Sequence, residues 1–321
     1  MSVTLEVEPR SEPEGRGDGR QSTVAISGAG GLVGSSLVDS LEARGCRVLR
    51  LVRRRAVGDG EIAYDPSADR IDAQRLEGLD ALVHLAGENI AARRWSQVQK
   101  RRIRDSRVAG TRLIARTLAE LTRPPGVLIN ASAIGYYGNR GDEILDESSG
   151  AGVGFLAETC REWEAQAALA EVAGIRVVLL RTGVVLSRSG GALARMLLPF
   201  RLGLGGRIGD GRQFMSWIGI DDLIGVIQRA LSTTDFSGPL NAVAPSPVRN
   251  AEFVRELSAV LRRPAVVPLP SFAVRLLLGE MGAELLLGST RVMPQALVRS
   301  GFRFRHPELS SALEFLIPRG R

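Results

Sequence analysis

From Thr23 onward the chain alternates between two textures. Short apolar runs without strict polar alternation, TVAIS, CRVLRLVRR, ALVHLAG (81–87), GVLINASA (126–133) and IRVVLLRTGVVL (175–186), predict strands buried on both faces. Between them, apolar positions recur three and four residues apart after Gly34, in RIRDSRVAGTRLIARTLAEL (102–121) and over 155–173, which predicts helices. This alternation predicts an α/β fold: a Rossmann-type doubly wound parallel sheet with helices on both faces. The second half is less regular. A glycine-rich stretch at 202–213 precedes SWIGIDDLIGVIQRAL, a strand PLNAVA, a helix from Asn250 and the proline-punctuated VVPLPS. We therefore expect a dinucleotide-binding domain over 22–183 and mainly a smaller substrate lobe over 184–321, with about 220–245 returning to the main sheet. Residues 1–21 hold five acids, three arginines, two prolines and three glycines, and read as a disordered tail.

Composition narrows the function classes. Of the 321 residues 44% are apolar, enough to fill a core, but only 5% are aromatic, so Leu, Val, Ile and Ala must fill it. The apolar stretch 272–288 carries Arg275, Glu280 and Glu284 and cannot span a bilayer. With no signal-peptide texture at the N-terminus, a cytoplasmic protein is expected. Two cysteines (Cys46 and Cys160) and two histidines (His84 and His306) make no disulfide framework, and no metal site is expected. Neither histidine follows a G-x-S-x-G elbow, and His84, inside an apolar strand, reads as a satisfied core histidine.

The net charge of +7 suggests nucleic acid at first sight, but Lys100 is the sole lysine beside 41 arginines. Such a bias reflects genomic composition more than a partner. The basic stretch 93–107 accordingly reads as a solvated helix face, Arg107 excepted. A small-molecule substrate is expected, with neither nucleic acid nor membrane as partner.

Gly28-Ala29-Gly30-Gly31-Leu32-Val33-Gly34 lies between the first strand and the first helix. Gly28, Gly31 and Gly34 form G-x-x-G-x-x-G, which lets a pyrophosphate approach the backbone at a helix N-terminus. The second strand ends in Arg53-Arg54-Arg55, where a site for NAD usually places an acid for the ribose hydroxyls. Arg53 instead suits a 2′-phosphate, so the expected cofactor is NADP.

These residues, together with HLAGENI (84–90), RDSRVAGT (104–111), ASAIGYYG (131–138), FLAETCREWE (155–164), LRTGVVLSRSGGAL, SWIGIDDL and NAVAPSPVRNAEF, give the chain a family likeness. From about Thr23 to Leu316 it resembles the extended short-chain dehydrogenase/reductases, and within them the atypical YfcH-type, NAD(P)-dependent epimerase-like branch. The resemblance implies backbone contacts from Leu85 and Ala86 to the adenosine side and a cofactor contact from Arg107. It also places Val185 near the nicotinamide carboxamide.

The catalytic pattern of that superfamily is broken here. Its members pair a serine with Tyr-x-x-x-Lys, the lysine lowering the phenol's pKa for proton exchange. Four residues after Tyr64, Tyr136 and Tyr137 stand Ala68, Arg140 and Gly141, so the motif is absent. Ser132 matches the superfamily serine, and Tyr136 is the candidate substitute proton donor, with Glu158 and Cys160 as rivals. Sugar-nucleotide relatives also carry an arginine and a histidine where this chain has Met215 and Gly219, leaving Arg207 or Arg212 to compensate. Two readings stay open: an NADP-dependent oxidoreductase or epimerase on a small polar or sugar-like substrate, or a degenerate NADP-binding sensor or interaction protein.

Overall fold

Side-chain parity along the strands sets the architecture of the computed structural model, which describes residues 21–318. The tail expected over 1–21 therefore lies outside the described residues, Gln21 excepted. The first strands are β1 (Thr23–Ser27), β2 (Arg47–Val52), β3 (Glu61–Asp65), β4 (Arg70–Ile71), β5 (Ala81–His84) and β6 (Val127–Ala133). A short β7 (Ile144–Leu145) lies apart, and β8 (Arg176–Thr182) rejoins them. After β9 (Val184–Leu186), β10 (Phe214–Met215) and β11 (Trp217–Gly219) comes β12 (Gly238–Ala242), then β13 (Val248–Arg249) and β14 (Arg291–Val292). Among the described residues, eight strands form one sheet in the order β12-β8-β6-β5-β1-β2-β3-β4, parallel except for the terminal β3–β4 hairpin. The Rossmann-type expectation is borne out.

The helices are α1 (Leu32–Glu42), α2 (Gln97–Ala119), α3 (Phe155–Glu171), α4 (Gly191–Arg201), α5 (Ile220–Ser232), α6 (Asn250–Leu261), α7 (Ser271–Leu286), α8 (Gln295–Arg299) and α9 (Leu309–Leu316). On one face of the sheet Val24, Ile26, Val83, Ile129, Val178 and Leu180 pack with α1 and α5. On the other, Ala25, Leu82, Leu128 and Val177 pack with α2 and α3. By period two, Ser27, His84, Asn130, Ser132 and Arg181 therefore all face α2 and α3 near the carboxyl ends of their strands. A third cluster, around the fully buried Trp217, joins α4, α6 and α9 in the second lobe. Asp222, on α5, accepts hydrogen bonds from the Arg305 and His306 amides at 2.7 and 3.0 Å and so fixes the chain entering α9.

Three details depart from the sequence reading. The helix expected over 102–121 starts earlier, because the Ser96 hydroxyl caps it by accepting from the Gln99 amide. The run 175–186 is two strands: at Gly183 the pairing partner changes from β12 to β11. The β3–β4 hairpin had no counterpart, since EIAYD is short and charged at both ends. No helix among the described residues is long and apolar enough to cross a membrane.

Candidate active site

The sheet reverses strand order between β1 and β5, which opens a crevice at their carboxyl ends. Gly28 follows β1 with φ +71°, and a Cβ there would lie 2.9 Å from the Ala86 nitrogen and the Leu85 carbonyl carbon. A Cβ on Gly34 would lie 2.1 Å from the Gly28 oxygen. Both positions thus require glycine for close backbone approach. Gly31 is the N-cap of α1, and no side chain caps that helix's first amides. Arg53, Arg54 and Arg55 leave β2 and line a groove of about 730 Å³ with Asp65, Arg70 and Arg116. Arg54 is committed to Glu61 at 2.7 Å, whereas the Arg53 side chain is exposed and makes no hydrogen bond among the described residues.

The floor of the crevice hangs on one hydroxyl. Ser27 Oγ accepts from the Leu85 and Ala86 amides at 3.1 and 3.3 Å, so its proton goes to His84 Nδ1, 2.5 Å away. His84 is therefore the Nε2–H tautomer, and its Nε2 is buried without a partner, as is the Tyr64 hydroxyl across Gly110. The core histidine expected from sequence is thus only half satisfied. Burial, helped by the charge of Arg107, pushes its pKa down to about 3. The Arg107 guanidinium donates to the Glu88 and Ile103 carbonyls at 3.0 Å and lies over the Trp163 ring. Burial lowers its pKa. Val185 is half-buried and pairs with Ile218 of β11.

A second polar row lies at the ends of β6, β8 and β12, where Ser132, Arg181 and Asn241 stand in register. Glu164 of α3 drops onto it. Ser132 Oγ donates to Glu164 Oε1 at 2.6 Å, and Arg181 donates to both carboxylate oxygens at 2.9 and 2.8 Å. Arg181 also donates to the Tyr137 hydroxyl at 3.0 Å, which donates to Asn241 at 2.7 Å. Arg181 and Glu164 are only 2% and 8% exposed, so this is a buried ion pair with its hydrogen-bonding capacity largely used. Burial works against the charge on Arg181, but the hydrogen bonds and charge of Glu164 outweigh it and raise the guanidinium's pKa. The same guanidinium sits 3.5 Å from the centroid of the half-buried Tyr136 ring, whose hydroxyl has no partner among the described residues.

Of the rival proton donors, Glu158 is exposed on the outer side of α3. Cys160 lies beside Ser132, but burial pushes its thiol up to about 12. Tyr137 is consumed by the network. Arg207 and Arg212 are exposed and form no ion pair among the described residues, while Met215 accepts a weak contact from Asn250. Sequence reasoning missed Glu164 and Arg181. Their signal was present: a glutamate on the apolar stripe 160-163-164-167 and an arginine inside the apolar run VVLLRT.

With this geometry in hand, comparison with known proteins is decisive. The model of the NAD dependent epimerase/dehydratase family matches residues 24–242, and a domain of unknown function (DUF1731) matches 269–316. The chain belongs to that epimerase/dehydratase family. Epimerase family protein Mb2239 of Mycobacterium bovis is 45% identical over 92% of this chain and 98% of its own. A crystal structure of human epimerase family protein SDR39U1 with NADPH superposes with a TM-score of 0.85 at 37% identity, covering 92% of this chain and 99% of that one. A nucleoside-diphosphate sugar epimerase from Corynebacterium glutamicum superposes at 0.78 with 40% identity, over 94% of this chain and 59% of that one. The expectation of an atypical dehydrogenase/reductase-type, epimerase-like protein with a nicotinamide dinucleotide is borne out.

Two outcomes follow from the buried groups. Glu164→Leu strands the Arg181 charge and is expected to cost about 3–5 kcal/mol in urea unfolding. Glu164→Leu with Arg181→Met recovers most of that loss, and a double variant as unstable as the single one contradicts the pairing argument. His84 gives a pH signature. The unfolded ring takes a proton below about 6.5, whereas the folded one resists until about 3. Stability is therefore lost as the pH is lowered through that window, by up to about 1.4 kcal/mol per unit from this residue. His84→Gln removes that part of the slope, read as the difference between the two stability–pH curves.

Proposed function

We propose that the protein is an NADP-dependent oxidoreductase or epimerase acting on a hydroxyl or carbonyl carbon of a small polar or sugar-like substrate. The observation that carries this reading is Arg181, held 3.5 Å from the centroid of Tyr136 beside Ser132. The dinucleotide fits the residues present. The glycine cradle at 28–34, which any Cβ at Gly28 or Gly34 would fill, and the uncapped start of α1 suit its pyrophosphate. Arg53 has its guanidinium free for the 2′-phosphate, in keeping with the NADPH in the human relative's structure. Leu85 and Ala86 offer backbone at the adenosine side, and Val185 borders the nicotinamide end.

When bound, the cofactor supplies a hydride donor or acceptor. The chain's own residues handle the proton. Tyr136 exchanges it with the substrate oxygen, its ring held in place against the Arg181 guanidinium. Ser132 has its single proton committed to Glu164, so toward substrate it presents lone pairs and accepts from a hydroxyl.

Arg53→Ala is expected to weaken NADPH about ten- to a hundredfold in fluorescence titration and to leave NADH within about twofold. Equal weakening of both sinks the 2′-phosphate assignment. Against a panel of carbonyl compounds and sugars, followed at the nicotinamide absorbance and by NMR for stereochemical inversion, Tyr136→Phe should lower turnover about 10²–10⁴-fold. Undiminished turnover removes Tyr136 as the proton donor. Tight NADPH binding with neither turnover nor inversion across the panel replaces the enzyme with the sensor reading.

A further inference from the structure

The helix that carries Glu164 has no cap of its own. Its N-cap, Gly154, has no side chain, and its first two amides, Phe155 and Leu156, instead donate to Glu284 Oε1 and Oε2 at 3.0 and 3.1 Å. Glu284 belongs to α7, more than a hundred residues later, inside the segment matched by the domain of unknown function. We propose that the second half of α7 is an interlobe latch and that Glu284 is a positioning residue, fixing α3 and through it Glu164 and Ser132.

Three further observations converge on the same junction. Lys100, the chain's sole lysine, pairs with Glu280 at 2.7 Å and lies 4.7 Å from the centroid of the Phe155 ring. Phe155 meets Trp95 edge to face, and both pack with Ile103 and Met281 in a small cluster separate from the sheet cores. Between the two halves of α7, Gly279 leaves helical geometry at φ +61°, ψ −138°, and the Arg94 guanidinium occupies the space a side chain would need. A non-helical glycine followed by one charged pair, one carboxylate cap and a small apolar cluster is a unit that can dock or release apart from the main cores. Docked, it satisfies two of the orphan donors of α3 with a charge of the sign that a helix N-terminus attracts. Cys160 and Glu164 follow within the next two turns, so a shift of that first turn moves the carboxylate that holds Ser132 and Arg181.

The functional meaning of this latch rests on the proposed role of Ser132 and Tyr136, but its test needs no substrate. Amide hydrogen–deuterium exchange of the full chain is compared for wild type, Glu284→Ala and Glu284→Gln. Glu284→Ala should speed exchange about tenfold in peptides covering 155–160. The glycine-turn peptides around 28–36 should stay unchanged, and NADPH affinity within about threefold. Glu284→Gln keeps one carbonyl acceptor and should restore part of the protection. Unchanged exchange at 155–160 overturns the latch; so does a uniform rise along the chain, which would make Glu284 a general stabiliser. Should Glu284→Ala not fold, Lys100→Met must loosen 95–103 and 155–160 together, and protection kept at both sites overturns it equally. If the exchange result holds while no turnover is found, the latch stands and the catalytic reading falls. Where turnover is measured, Glu284→Ala lowers kcat without a matching change in NADPH affinity, and Glu284→Gln recovers part of it.

Discussion

A carboxylate and a guanidinium can be taken out of water together only if nearly all of their hydrogen-bonding capacity is met inside. That constraint shapes the carboxyl edge of this sheet. Glu164 and Arg181 are both buried, and each unmet valence would cost free energy that the pair's attraction does not return. Parallel register supplies the partners: Ser132, Arg181 and Asn241 lie side by side on β6, β8 and β12, and α3 brings the carboxylate onto their face. Tyr137 closes the chain between Arg181 and Asn241. The orientation of Ser132 and the seat of Tyr136 are consequences of satisfying this pair.

The same constraint decides which cation sits at this edge. Here α3 contributes the anion, Glu164, and the positive charge comes from the sheet, from Arg181 on β8. An anion on the helix demands a cation opposite it, and Arg181 has donors enough to hold Glu164 with two bonds and Tyr137 with a third. Its planar face remains for Tyr136. A lysine in its place would have three donors and no planar face; the sole lysine of the chain pairs with Glu280.

Much of this was legible beforehand, and the rest was hidden for identifiable reasons. Apolar runs and helical spacing sufficed for the central sheet because both faces are covered, and no alternation was needed to read them. The glycine turn was readable because Gly28 and Gly34 are demanded by backbone contacts within a single βα unit. Glu164 and Arg181 were not found because a charged residue on an apolar stripe has meaning only through a partner far away in sequence. Nor did sequence give the tautomer of His84, which depends on Ser27 receiving two amides from beyond β5. The capping of α3 by Glu284 escaped for the same reason: a helix start is sought in its neighbours, and this one is closed from another lobe.

The two halves of the candidate site therefore rest on supports of unequal strength. The cofactor cradle stands on β1, α1 and β5, whose side chains belong to the two large clusters flanking the sheet. Opening it means breaking the global core. The polar row around Ser132 is held through α3, whose first turn depends on Glu284 and on a cluster of only a few side chains around Trp95 and Phe155. Regions with few buried contacts open at lower free energy than the fold as a whole. It follows that dinucleotide binding and the geometry around Ser132 can vary independently, although a single network of hydrogen bonds runs from α3 through Arg181 and Asn241 to the Met293 carbonyl in the second lobe. That network gives the second lobe a direct hold on the polar row at the ends of β6, β8 and β12, because the Asn241 amide that accepts from Tyr137 also donates to the Met293 carbonyl.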